Sequence, residues 1–175
     1  MKISKLFALM KQRKRIVVMQ GKTAQWVGDG VSLYPIYNLP KLSERTMQTI
    51  LDINDDAWDK FTFDEYDVMR VSEDDFSEGQ IDLQPMEIML HWKGSDIIPL
   101  YGGGRIYFIM AKYLKPFTDA ILLSYSWRKD EKVIAVNEGM LLSALIVPVE
   151  VTDPVFRETL YRLYDFTRRQ AGEEE

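Results

Sequence analysis

The chain has no cysteine, and its 175 residues include a single histidine. The first absence removes disulfides, thiolate metal sites and cysteine nucleophiles, and it fits a reducing, cytoplasmic setting. The second removes the catalytic triad and the imidazole-rich zinc site, because His91 has no second imidazole or thiolate to work with. A structural role is expected for His91, which lies in an alternating strand beside Trp92. No apolar run approaches the ~20 residues of a membrane helix, so no membrane contact is expected. Lys5 and Lys11 interrupt the apolar N-terminal stretch and no small-residue cleavage site follows, so no signal peptide is expected. There is no Gly-x-Ser-x-Gly elbow for a serine nucleophile. Gly102-Gly103-Gly104-Arg105 precedes a strand and lacks the Gly-Lys-Ser/Thr ending, so it predicts a flexible turn rather than a phosphate-cradling loop.

What is present supports a packed core. Hydrophobic residues make up 46% of the chain, which places it outside the disordered class. The length suits a single domain. The net charge of −5 conceals an asymmetry. Lys2, Lys5, Lys11, Arg13, Lys14 and Arg15 give residues 1–15 a charge of +6 with no acid. Residues 52–87 hold thirteen Asp or Glu against Lys60 and Arg70, a charge of −11. An acidic protein with one basic helix can bind a polyanion locally, because phosphate contacts are short-range and screened.

Periodicity predicts the elements. Ile3, Leu6, Phe7 and Met10 fall on one face of a helix over 3–13, with the lysines on the other. Residues 15–20 are β-branched and predict a strand. Gln25 to Tyr37 predicts a hairpin around Gly28-Asp29-Gly30, with Pro35 marking an edge or a bulge. Ser43 and Asn54 are N-cap candidates for a helix carrying Met47, Ile50 and Leu51 and for a short turn through Trp58; a strand at Thr49–Ile53 is the rival reading of part of this stretch. Residues 72–82 predict an exposed, disorder-prone loop. A second hairpin is expected across Lys93-Gly94-Ser95-Asp96, flanked by Met86–Trp92 and Ile97–Tyr101. Then come a strand at Arg105–Met110, a short helix at Ala111–Phe117, and strands at Ala120–Trp127, Lys132–Val136 and Met140–Val149. Asp153 as N-cap and Pro154 at the first helical position open the last helix, and the tail 172–175 is expected to fray.

One pattern occurs twice. Lys5-Leu6-Phe7, a β-branched strand, Gly28-Asp29-Gly30 and an apolar run are echoed by Lys112-Tyr113-Leu114, a strand, Asn137-Glu138-Gly139 and an apolar run. An internal repeat constrains a fold strongly. The expectation is an α+β domain with antiparallel sheets and two helix-plus-three-strand units, one over about 1–53 and one over about 105–170. An acidic insertion and hairpin over about 54–104 separate them, and a C-terminal helix is added.

Three surfaces are candidates for chemistry. The basic helix offers Lys2, Lys5, Lys11, Arg13, Lys14 and Arg15 to nucleic-acid phosphates. The acidic segment offers Glu73, Asp74, Asp75 and Glu78 as a docking surface for a basic partner, in the manner of a DNA mimic. Its spacing does not match an EF-hand, and no metal site is expected there. A metal-dependent enzyme built from Asp52, Asp55, Asp56 and Asp59 is a further alternative, although nothing in their spacing requires it. Trp26, Tyr34, Tyr37, Trp92, Tyr101, Tyr107 and Trp127 are candidate stacking aromatics, with half-buried packing in strands as the ordinary explanation. No catalytic residue and no cofactor are expected.

The segment Ile106-Tyr107-Phe108-Ile109-Met110-Ala111-Lys112-Tyr113-Leu114, then Ile121-Leu122-Leu123-Ser124-Tyr125, then Ala144 to Val151, resembles a domain of the bacterial DNA sliding clamp. Met1-Lys2-Ile3 before a helix resembles the start of such a domain. The resemblance implies two β-α-β-β-β units whose helices carry cations toward duplex DNA. It adds Lys112 and Lys115 to the candidate DNA-facing residues Lys5 and Lys11. It also implies a non-enzymatic accessory protein of replication or phage DNA metabolism, binding double-stranded DNA or a replication protein. A ring would require homo-oligomerisation, since the chain has room for one domain. Trp26-Val27-Gly28-Asp29-Gly30 followed by Tyr34-Pro35-Ile36-Tyr37 resembles uncharacterised prophage proteins of Gram-positive bacteria.

Overall fold

Helix α1 (Ile3–Arg13) buries Leu6, Leu9 and Met10 and exposes Lys5, Ala8, Lys11 and Gln12. It stops at Lys14, whose φ of 51° turns the chain into strand β1 (Arg15–Gln20). The computed structural model describes residues 1–120 and 122–170. Ile121 and the tail expected to fray lie outside the described residues. After β1 come β2 (Gln25–Gly28), β3 (Ser32–Ile36), α2 (Glu44–Ile50), α3 (Asp55–Trp58), β4 (Thr62–Tyr66) and β5 (Ile81–Pro85). They are followed by β6 (Leu90–Trp92), β7 (Ser95–Gly102), β8 (Arg105–Met110), a 3-10 helix (Ala111–Phe117), β9 (Leu123–Arg128), β10 (Val133–Glu138), β11 (Leu141–Ile146) and α4 (Pro154–Gln170).

The helix caps act as their chemistry predicts. Ser43 Oγ accepts from Thr46 N at 3.3 Å and Asn54 Oδ1 accepts from Ala57 N at 2.9 Å, so residues 44–50 are helical and the rival strand does not form. Asp153 Oδ1 accepts from Phe156 N at 3.0 Å, with Pro154 as the first residue of α4. Gly102-Gly103-Gly104 is a tight turn rather than a flexible break. Gly103 and Gly104 have φ of 56° and 71°, the positive pair that a two-residue hairpin needs, and they join β7 to β8.

The protein is mixed α+β, with one large, mostly antiparallel sheet and a C-terminal helix. Among the described residues eleven strands form it, in the order β4-β1-β2-β3-β11-β10-β9-β5-β7-β6, with β8 paired to β7. Among the described residues only β1 and β4 pair in parallel. Strands β1-β2-β3 and β9-β10-β11 are two meanders that meet at their third strands, where Leu33 faces Leu145 and Ser32 faces Ile146. Pro35 pairs with Trp26 of β2 at a point where the β11 ladder has already ended, so its missing N–H breaks no second ladder.

The sheet buries both faces. Ile16, Val18, Ile134, Val136 and Ile146 form the main core with α1, Tyr113 and Phe117. Trp26, Val133, Ala135, Leu142 and Leu145 form a second core, capped by Met69 and Val71. Helix α4 covers a third, made with Ile97, Ile106 and Phe108 of the β7–β8 hairpin. There Tyr164 stacks on Tyr101 at 4.1 Å and Tyr161 Oη accepts from Ile106 N at 3.0 Å.

Candidate functional site

The 3-10 helix packs beside α1. Pro116 O accepts from Lys2 N at 2.6 Å, and Tyr113, Pro116 and Phe117 are buried. Beneath the pair lies a buried carboxylate. Asp29, 1% exposed, sits in the β2–β3 turn, where its Oδ1 accepts from Val31 N, Ser32 N and Ser32 Oγ at 3.0, 3.0 and 3.1 Å. Its Oδ2 accepts from Tyr113 Oη at 3.0 Å and lies 3.5 Å from Arg13 Nε. Tyr34 Oη donates to Tyr113 O at 2.7 Å. One carboxylate therefore ties the first turn to the 3-10 helix 84 residues away.

Burial pushes the Tyr34 and Tyr113 hydroxyls far above their ordinary value of 10.0, and the Asp29 charge adds to the rise in both. Both phenols stay neutral in the native protein while those of the unfolded chain ionise near pH 10. Their contribution to stability is complete below pH 10 and is lost as pH rises above it. We expect the urea midpoint to hold at pH 9 and fall steadily from pH 10 to pH 12. A midpoint constant across that range would contradict the buried, neutral tyrosine pair.

The predicted cations separate into two groups. Lys2 pairs with Asp119 at 2.8 Å, Arg13 with Asp29, and Arg15 with Asp64 at 2.8 Å. These three are engaged by carboxylates of the chain itself. Lys5, Lys11, Lys14 and Lys115 are exposed, and among the described residues no ion pair or hydrogen bond engages their side chains. Lys112 Nζ lies 5.1 Å from the centre of the Tyr113 ring. Lys5 and Lys11, six positions apart, stand about 120° apart around the helix axis, flanking Ala8 at the middle of the exposed arc. Lys112 and Lys115 line a groove of about 490 Å³ with Gln12, the Met110–Ala111 junction and the β6–β7 hairpin. Asp96 of that hairpin is the one carboxylate in this lining, and it holds exposed His91 through Nδ1 at 3.1 Å.

The acidic segment is not the free loop that composition predicts. Glu73 accepts from Lys22 N with both oxygens, at 2.8 and 3.0 Å, and from Trp26 Nε1 at 3.3 Å. Asp75 Oδ1 accepts from Leu142 N at 2.7 Å beside the β10–β11 bulge, and Asp75 O accepts from Asn137 Nδ2 at 3.0 Å. Arg128, 2% exposed, donates to Ser72 O at 2.8 Å and Asp74 O at 2.6 Å, with Glu131 beside it. Residues 81 and 82, assigned to the loop by sequence, are the start of β5. The side chains of Asp74 and Glu78 alone of the four candidates remain exposed. Residues 72–80 are irregular, as composition predicts, but composition mistakes a tethered loop for a free one because a carboxylate that receives backbone N–H groups has the same sequence signature as a solvated one. Replacing Glu73 with Ala should release the strap at a cost of about 1–2 kcal/mol. Hydrogen exchange at the Lys22 amide and the Trp26 indole N–H should accelerate while β10 stays protected; unchanged exchange at both would refute the tether.

Among the described residues no three His, Asp or Glu side chains gather where an ion would be held. Asp55 of the proposed cluster accepts from Gln48 Nε2 at 2.8 Å. Among the described residues no helix is long and apolar enough to cross a membrane. Of the candidate aromatics, Trp26 and Tyr34 are core, Trp92 and Tyr101 lie under α4, and Tyr107 packs on Trp127 at 4.9 Å. Sequence reasoning missed Asp29 and Arg128 as anchors, since each is recognisable only by partners brought from distant segments.

No protein family, no curated protein and no solved structure matches the chain.

Proposed function

We propose that this protein is a non-enzymatic accessory factor of DNA metabolism with a clamp-like plan, and that it holds duplex DNA against the face formed by α1 and the 3-10 helix. The observation that carries the reading is the placement of Lys5, Lys11, Lys112 and Lys115 on two adjacent helical segments. Two acids of the candidate partner surface, Glu73 and Asp75, are held elsewhere on the strap, and of the carboxylates near this face Asp96 holds His91 and Asp119 pairs with Lys2. The strand order β1-β2-β3-β11-β10-β9 supports an ancestral duplication, because it is the same forward and backward and each meander follows a helical segment. Strand β8 pairs with β7 rather than with β9, a departure from a simple β-α-β-β-β unit.

Cations on a rigid helical face bind phosphates without reading sequence. The expected interaction is therefore weak, non-specific and steeply dependent on salt. Fluorescence anisotropy with a labelled random-sequence duplex tests it. Binding at micromolar protein and low salt, weakened by Lys5→Glu with Lys11→Glu, supports the reading; no binding at low salt removes it. Encircling DNA would further require several copies in a closed assembly, which a solution mass measurement detects directly.

A further inference from the structure

A second basic surface lies away from the α1 lysines, where β8 and β9 face each other. Tyr107 and Trp127, both half-buried, pack together with ring centres 4.9 Å apart and planes 33° apart. They stand at the junction of two contiguous grooves. The larger, of about 660 Å³, is lined by Ile81, Val147 and Pro148 together with Arg105, Lys129 and Lys132. The smaller, of about 430 Å³, shares Arg105, Tyr107, Trp127 and Pro148 and adds Arg157 and Glu150.

The charge here is unusual for an acidic protein. Arg105, Lys129 and Lys132 are exposed, and among the described residues no ion pair engages them. No carboxylate lines the larger groove. Cations around an apolar, aromatic floor fit an anion that also carries a flat apolar body.

We propose that this groove binds single-stranded nucleic acid, one base stacking on the Tyr107–Trp127 pair and the flanking phosphates meeting Arg105, Lys129 and Lys132. Backbone geometry favours a nucleic acid over an extended acidic peptide. A peptide adding as a strand needs a free backbone edge. Strand β8 is paired with β7 on one edge and Phe108 O accepts from Val149 N at 2.7 Å on the other. Strand β9 is paired with β10 and with β5. Recognition must then come from side chains, and stacking on ring faces with cations along the backbone is how single strands are held without sequence preference. This surface is separate from the α1 lysines, and the inference stands without the duplex reading.

The test uses the full chain and a labelled oligothymidylate of about twelve nucleotides, long enough to place one base on the aromatic pair with phosphates on either side. Low-salt anisotropy should give micromolar binding. Lys129→Glu with Lys132→Glu should weaken it about ten-fold, with no change in melting temperature because both residues are exposed. Lys5→Glu with Lys11→Glu should leave it within about two-fold. A strand carrying 5-iodouracil should photocrosslink to Tyr107 or Trp127. The inference fails if the oligonucleotide does not bind, if reversal at 129 and 132 has no effect, or if crosslinks map elsewhere. It also fails if an acidic peptide or a duplex of equal length competes equally well at the groove. Duplex binding that depends on Lys5 and Lys11, with no strand held here, would defeat this inference alone.

Discussion

Asp29→Ala should destabilise the protein by about 3 kcal/mol, the scale of breaking a buried charged network from one side. The carboxylate is 1% exposed and receives two backbone N–H groups, two hydroxyls and the flank of Arg13. Alanine removes the acceptor and leaves the Tyr113 hydroxyl and the Ser32 N–H buried without it. For a chain of this size that free energy lowers the melting temperature by about 6–12 °C. Arg13→Ala should cost much less, because the Arg13 side chain is 37% exposed and water can replace it. Tyr113→Phe should fall between the two: it keeps the ring and deletes one donor. Calorimetry on the three variants would order them Asp29→Ala, Tyr113→Phe, Arg13→Ala from worst to mildest. A drop of under about 3 °C for Asp29→Ala would mean that the turn and the 3-10 helix are not coupled through this group.

Reversing the charge at Lys5, Lys11 and Lys115 together should weaken duplex binding by about a hundred-fold at 50 mM salt. Each lysine that neutralises a phosphate adds about one to the slope of log affinity against log salt, so the slope should fall by about three. The fold should survive, since all three side chains are exposed and none makes an ion pair among the described residues. That separates this triple variant from reversal at Lys2, Arg13 or Arg15, which would strand Asp119, Asp29 or Asp64 opposite a like charge. An unchanged affinity and slope in the triple variant, with the protein still folded, would rule out the helical face as the contact. Affinity lost only with the melting transition would mean that the lysines act on stability.

Elements set by neighbours in sequence were legible. Asp153-Pro154 places the start of α4 because a side-chain acceptor three residues before an amide needs no tertiary help. Ser43 and Asn54 do the same for α2 and α3. The apolar stripe of α1 predicts its buried side, and Lys93-Gly94-Ser95-Asp96 predicts the β6–β7 hairpin, whose turn is confined to Lys93 and Gly94 with Ser95 and Asp96 already in β7. The candidate site was legible only in part. The basic residues are visible as a cluster, but three of the eight are spent on internal partners that lie far along the chain. The acidic segment was misjudged for the same reason, because Glu73 and Asp75 are engaged by Lys22 and Leu142.

By itself the sequence determined the helix starts, several turns and the charge imbalance between the two ends of the first ninety residues, but not strands β4 and β5, which pair with partners far along the chain. The helix starts and turns follow from hydrogen bonds and side-chain spacing within a few positions. Only the tertiary structure decided that β3 and β11 join the two meanders and that β4 docks parallel on β1. It alone brought Tyr113 to Asp29, 84 residues away, and Trp127 to Tyr107. Such contacts depend on closing long loops around a common core, and the free energy of that closure is shared across the whole chain, so no local pattern records it.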